Sequence, residues 1–225
     1  MRSLLAAIAL VGSIVGGCHF PGTNVTGYTL TADGNNAISV AQSGSTVTLT
    51  GVGGDSTGSN YRGAYWLDGA PSVANPTECM TWASQTGTDN RSQEGIVLRA
   101  RQVADKSLRL ITVTKNVIYG ITWVVNVHVW DTSLPTPFIA VGQFDMSAVV
   151  GNGSTLPWNI CARAIGNTVS FKIWLPGHPV PAWGNAIASR SVHIPTDYTL
   201  PGISGWFGGH ITTGNSITYT NTVSN

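Results

Sequence analysis

Short runs of Val, Ile, Thr and aromatic residues, each closed by Gly, Asn, Asp or Pro, recur along almost the whole chain. No stretch offers an amphipathic helix longer than about two turns. β-Branched and aromatic side chains suit a pleated, half-buried surface, and 27 glycines and 11 prolines supply the turns between them. This punctuation predicts strands over 28–32, 37–41, 45–52, 64–67, 79–84, 95–101 and 108–115. It predicts further strands over 121–130, 138–144, 159–164, 168–174, 186–193, 202–209 and 216–222, with a turn or short helix near 145–150. So many short strands without an internal repeat predict an all-β protein, a two-sheet antiparallel jelly-roll sandwich whose last strands return to pair with the first ones. A length of 225 residues allows one or two domains. The texture is even from residue 28 onward, and a single domain over 28–225 is expected.

Eleven basic residues face ten acidic ones, with no run of either sign. The electrostatic footprint of a nucleic-acid binder is missing, and no DNA or RNA partner is expected. The N-terminus carries Arg2, then an apolar stretch from Leu4 to Val15, then Gly16, Gly17 and Cys18. A positive start, a short apolar core and small residues before a cut are the parts of a secretory signal, and the core falls short of the ~20 residues that span a bilayer. Val15-Gly16-Gly17-Cys18 resembles a bacterial lipobox, which implies a signal over 1–17, lipidation of Cys18 and a tether over 18–27. The expected location is the cell envelope or surface, anchored to the membrane by lipid; secretion without the anchor is the alternative. Acyl chains gain roughly 0.8 kcal/mol per buried CH₂, enough for two chains to hold a domain on a membrane. Cys79 and Cys161 remain, and in an oxidising compartment an even pair reads as a disulfide.

Within 121–130, alternation places Ile121, Trp123, Val125, Val127 and Val129 on one face and Thr122, Val124, Asn126, His128 and Trp130 on the other. Sugars present flat C–H faces ringed by hydroxyls, so a site for them joins an aromatic platform to amide, imidazole or cationic groups. Asn126, His128 and Trp130 meet that description, with Lys172 and Trp174 expected on an adjacent strand. The competing reading puts Trp130 in a core and has His128 merely satisfy a backbone carbonyl.

Three segments resemble the terminal strands of concanavalin A-like lectin/glucanase jelly rolls, laminin-G-like domains included. They are Phe171-Lys172-Ile173-Trp174, Pro179-Val180-Pro181-Ala182-Trp183-Gly184 and Pro201-Gly202-Ile203-Ser204-Gly205-Trp206-Phe207-Gly208-Gly209-His210. Gly95-Ile96-Val97-Leu98-Arg99, with the strand ending in Asn126-Val127-His128-Val129-Trp130, is similar to their central concave sheet. The likeness covers residues 64 to 222 and is one of pattern and order. Glucanases of that superfamily cut with paired carboxylates on one strand face. The corresponding positions here hold Asn126, His128 and Trp130, and no E-x-D-x-E run occurs.

Gly54-Asp55-Ser56-Thr57-Gly58 matches a nucleophile elbow by letter, but a strand follows where the elbow needs a helix. The histidines lack ligand spacing and no metal site or cofactor is expected; a rim calcium on Asp89, Asn90 and Glu94, as the resemblance implies, is the exception weighed. The expectation is a non-catalytic, lectin-like carbohydrate-binding protein that takes a glycan of the envelope or of a host. A structural or adhesive protein that binds another protein is the alternative, with a glycoside hydrolase or lyase as the third reading.

Overall fold

A computed structural model of the chain describes residues 25–31, 37–53, 61–87, 92–103, 107–116, 121–152 and 155–224. Its first sheet runs β1 (Val25–Thr31), β4 (Arg62–Leu67), β13 (Ile203–Gly209), β6 (Gln93–Gln102), β7 (Leu108–Lys115), β8 (Val124–Asp131), β9 (Phe138–Asp145). The second runs β12 (Ser189–His193), β11 (Thr168–Trp174), β10 (Trp158–Ile165), β5 (Thr77–Gln85), β14 (Ser216–Ser224), β3 (Thr46–Val52), β2 (Ala37–Ser43). Neighbouring strands are antiparallel throughout. β13 inserts between β4 and β6, and β14 between β3 and β5, so the end of the chain completes both sheets as jelly-roll connectivity requires. The all-β sandwich expected from the sequence is the one observed.

Three strand starts differ most from the expected ones. β1 starts at Val25, inside the stretch expected to be a tether, and pairs Val25 with Leu67, Thr26 with Trp66 and Gly27 with Tyr65. β8 starts at Val124 and not at residue 121; just before it, the Trp123 carbonyl accepts the Met146 N–H at 3.0 Å, in line with the β8–β9 pairing. β12 starts at Ser189 and not at residue 186: Asn185 Oδ1 accepts the N–H groups of Ile187 and Ala188 at 3.0 and 2.8 Å and holds a turn there. A short helix, α1 (Ser147–Val150), follows β9 as expected.

The main core lies between the sheets. Val125, Val127 and Val129 of β8 join Ile96, Leu98 and Ile111 on one side; Leu49, Trp82, Trp158 and Phe171 face them from the other, with the Trp82 and Trp158 rings 6.0 Å apart. Cys79 and Cys161 stand directly opposite each other on β5 and β10 and form the expected disulfide. It closes a loop of sequence separation 82, for which loop-closure entropy gives roughly 4 to 5 kcal/mol as an upper figure. Arg99 sits at a bulge in β6 with φ 54°. Its guanidinium donates to the carbonyls of Ala74, Gly166, Tyr198 and Ala164, tying the first sheet to the β10–β11 turn at the edge of the second. Gly202 is needed beside it, since a Cβ there would fall 2.3 Å from the Arg99 carbonyl carbon.

The first sheet is strongly curled. Trp130 on β8 lies 6.1 Å from Phe207 on β13, with β6 and β7 between them in strand order. Arg62 on β4 stands 5.6 Å over the Phe138 ring on β9. Tyr28 on β1 reaches Thr132, just past β8, through a 3.1 Å hydrogen bond between hydroxyls. A second apolar cluster of Leu30, Ala64, Val97, Leu110, Trp130 and Phe207 fills the inside of this curl.

Candidate functional site

The sequence pointed to five site residues, and the fold separates them. Asn126, His128 and Trp130 lie on the outer, concave face of the first sheet, opposite the buried valines of β8. Lys172 and Trp174 lie on the outer face of the second sheet, opposite Val169, Phe171 and Ile173. The five therefore sit on opposite sides of the sandwich. Alternation assigns a residue to a face of its own strand, but it does not say to which sheet that strand belongs.

Trp130 is corrected from platform to core. It is 1% exposed, its Nε1 donates to Thr112 Oγ1 at 2.9 Å, and its ring packs 4.9 Å from Phe138. Asn126 is also buried, with its Oδ1 free of any partner. His128 is half-buried, edge-on to Trp130 at 6.3 Å and 5.4 Å from Phe138. Burial, with help from the Arg62 charge, pushes its imidazole down to about 4, so the ring is neutral at physiological pH. Trp130 belongs to the second apolar cluster and His128 packs beside its ring and that of Phe138, while Asn126 is buried farther along the same face.

An open space on the same sheet lies toward its other edge. A groove of about 570 Å³ is lined by Tyr28 and Thr26 of β1, Trp66 of β4, Arg101 and Gln102 of β6, and Ser72, with Ala100, Leu108 and Ile203 at its base. Tyr28 and Trp66 are half-buried, and Thr26 and Trp66 are directly opposed across the β1–β4 pair. The walls are held in place. Thr26 Oγ1 donates to the Asp68 carboxylate, Tyr28 is tied to Thr132, and Arg101 Nη2 donates to the Asp197 carbonyl at 2.8 Å. Arg109, bound to Asp131 at 2.6 Å, is also 3.9 Å from the Asp197 carboxylate, linking the end of β7 to the 3-10 turn over Thr196–Tyr198. Most lining residues belong to, or flank, a strand that the sequence predicted; Thr26 falls in the stretch expected to be a tether and Ser72 between two predicted strands. Their convergence depends on β1 pairing with β4, which no local pattern states.

Glu94, weighed as a calcium ligand, points between the sheets: Lys115 Nζ is 2.7 Å from its carboxylate and also donates to Gln85 Oε1 at 2.7 Å. Burial pushes the Glu94 carboxyl up, opposed by the Lys115 charge. It is half of an interior ion pair, not part of a rim loop. Asp89, Asn90, Ser56 and Cys18 lie outside the described residues. Among the described residues no group of three or more His, Cys, Asp or Glu is placed to hold a metal ion, and no helix is long and apolar enough to cross a membrane.

Fold and face together define an all-β jelly-roll sandwich with a curled, grooved sheet. No protein-family model matches the chain, and no curated protein matches it. Solved structures similar to it include the CBM2 module of Lactobacillus casei BL23 phage J-1 evolved Dit, at 12% identity over 91% of this chain and 90% of that one, TM-score 0.48. The Bacillus licheniformis β-glucanase is similar at 10% identity over 91% of this chain and 94% of that one, TM-score 0.48. A prokaryotic β-1,3-1,4-glucanase (lichenase) from a mouse hindgut metagenome is similar at 8% identity over 86% and 92%, TM-score 0.35.

Proposed function

We propose that the protein is a non-catalytic, lectin-like carbohydrate-binding protein, and that a glycan of the cell envelope or of a host lies in the groove between Tyr28, Trp66 and Arg101. One observation carries the reading: two half-buried aromatic rings, a guanidinium, an amide and two hydroxyls line a single groove of about 570 Å³. Rings stack on the C–H face of a sugar while Arg101, Gln102, Ser72 and Thr26 bond its hydroxyls directionally. A two-carboxylate glycosidase needs its acids about 5 to 9.5 Å apart, flanking the scissile bond. Among the described residues no Asp or Glu lines this groove, which favours binding over cleavage. Cys18 holds the domain on the membrane through its lipid in this proposal, and the Cys79–Cys161 disulfide supports an oxidising compartment.

A glycan array probed with the purified protein, followed by calorimetry on the retained sugar, tests the reading. Trp66→Ala is expected to weaken binding by about tenfold or more, the worth of one well-placed aromatic contact, while thermal unfolding stays cooperative. Retention of no glycan, or equal affinity in Trp66→Ala, overturns it. Incorporation of labelled palmitate that disappears in Cys18→Ala tests the anchor.

A further inference from the structure

The outer face of the second sheet carries a cluster for which the groove has no use. Arg163 on β10 and Lys172 on β11 are diagonal neighbours on that face, since Arg163 pairs with Ser170 and Cys161 with Lys172. The Pro-rich loop over residues 175–188 folds back over them. It places the Trp183 ring 4.2 Å from the Arg163 guanidinium and 4.8 Å from Lys172 Nζ, with the Trp174 ring 5.8 Å from the same ammonium. Both indoles are half-buried, so part of each ring still meets solvent.

Two like charges held this close repel, and a fold ordinarily answers with a carboxylate. None is present. No Asp or Glu occurs between Asp145 and Asp197, the segment that builds β10, β11, β12 and the loop. Among the described residues neither cation takes part in an ion pair. Glu78, on the neighbouring strand β5, is paired with Ala162 and so points to the inner face, where Ser224 donates to it. Lys172 uses a donor on the Pro181 carbonyl at 2.9 Å, which pins the loop. Arg163 Nε is buried and meets no protein acceptor. A guanidinium stacked on an indole with its donors unspent is a preorganised fork for an oxyanion. Burial and the Arg163 charge both push the Lys172 ammonium down, the direction an anionic partner would reverse.

The loop is anchored independently of any ligand. The Gly184 N–H donates to Ser189 Oγ at 3.3 Å, and Ser189 Oγ donates to the Phe171 carbonyl at 2.9 Å. The cluster is thus formed in the protein as it stands, and a ligand need not order it.

We propose that Arg163, Lys172, Trp174 and Trp183 form a second ligand site, on the side of the sandwich away from the groove, for an acidic sugar: a ring bearing a carboxylate or a sulfate ester. The two cations bind the oxyanion and the exposed parts of the indoles meet the apolar face of the ring.

Titration calorimetry of the full-length protein at low salt, with a galacturonate oligomer, a sulfated oligosaccharide and a neutral glucose oligomer as probes, tests this and separates the two acidic sources. Binding of either acidic probe, weakened about tenfold or more by Arg163→Gln and by added salt, with the neutral probe unaffected by that change, supports the site. Lys172→Gln provides the same comparison if Arg163→Gln unfolds the protein. Trp66→Ala, which removes an aromatic wall of the groove, is expected to leave the acidic probe bound. Failure of both acidic probes to bind overturns the proposal, as does undiminished binding in Arg163→Gln and Lys172→Gln. Loss of acidic binding in Trp66→Ala alone also overturns it and returns the acidic sugar to the groove.

Discussion

The two outer faces of the sandwich are built from the same two-residue alternation and end up as opposite environments. On the first sheet the outward residues of β8, β13 and β4 are gathered by curvature until Trp130, Phe207 and Ala64 form a dry second core. On the second sheet the outward residues of β2, β3 and β14 stay apart and largely wet. Ser39, Thr48, Thr50, Ser216 and Thr218 form a hydroxyl-bearing surface in which Thr48 and Thr218 meet at 3.4 Å. An antiparallel sheet can leave one face to water, but only if nothing folds over it. Here curvature decides which face is used for packing, and it leaves a groove where the curl opens at β1 and β4. A ligand is accordingly sought at the margin of the curled face or under the Pro-rich loop of the other.

The contrast can be broken most severely at Trp130. Replacing it with Ala is expected to cost about 3 to 5 kcal/mol, the usual cost of emptying a filled aromatic site, as measured by urea denaturation. Thr48→Ala on the opposite face is expected to stay within about 0.5 kcal/mol. Near-equal losses would show that the concave face is not a core. Removing the disulfide by Cys79→Ser with Cys161→Ser is expected to cost about 2 to 4 kcal/mol, read in the same denaturation and absent when parent and variant are compared under reducing conditions.

Smaller effects sharpen the picture by pH. Burial raises the Glu78 carboxyl from 4.5 to about 8. Between those values the folded chain keeps a proton that the unfolded chain has released, so stability is full below pH 4.5 and is lost as pH rises through about 8. Glu78→Gln is expected to remove that loss, seen as a melting temperature that no longer falls between about pH 6.5 and 8, above the range in which His128 titrates. His128 works in the opposite sense. Its imidazole falls from 6.5 to about 4, so the contribution is full above pH 6.5 and is lost as pH falls toward 4. With Glu78→Gln in both parent and variant, so that the opposing Glu78 slope is removed, His128→Gln is expected to flatten that acid limb, and an unchanged limb would mean that the ring is solvated in spite of Phe138 and Trp130.

Much of the architecture was legible because strand punctuation is local. The expected strand over 108–115 is β7 residue for residue, and 168–174 is β11. The disulfide was legible because an even pair of cysteines leaves a single pairing. Misreadings came from interactions that the alternation does not contain, such as the Asn185 turn that delays β12. The candidate site was half legible. Asn126, His128 and Trp130 do share the concave face, as alternation required, yet Phe138 from β9 and Phe207 from β13 close over Trp130. Lys172 and Trp174 were expected on a strand adjacent to these three and lie on the outer face of the other sheet. Tyr28 and Trp66 were passed over because each sits in a short strand with no polar partner pattern of its own, and their meeting depends on a pairing between segments more than thirty residues apart.

The sequence by itself determined the elements of this protein: the strands, the side each residue presents and the cysteine pair. Those follow from backbone geometry and residue chemistry within a few positions, where side-chain period and turn preference act directly. Only the tertiary structure decided which strands are neighbours, how far the first sheet curls, and so which polar and aromatic residues are buried and which line a groove. Such choices depend on packing between residues distant along the chain, whose free energy appears only when the two sheets and their twist are assembled together.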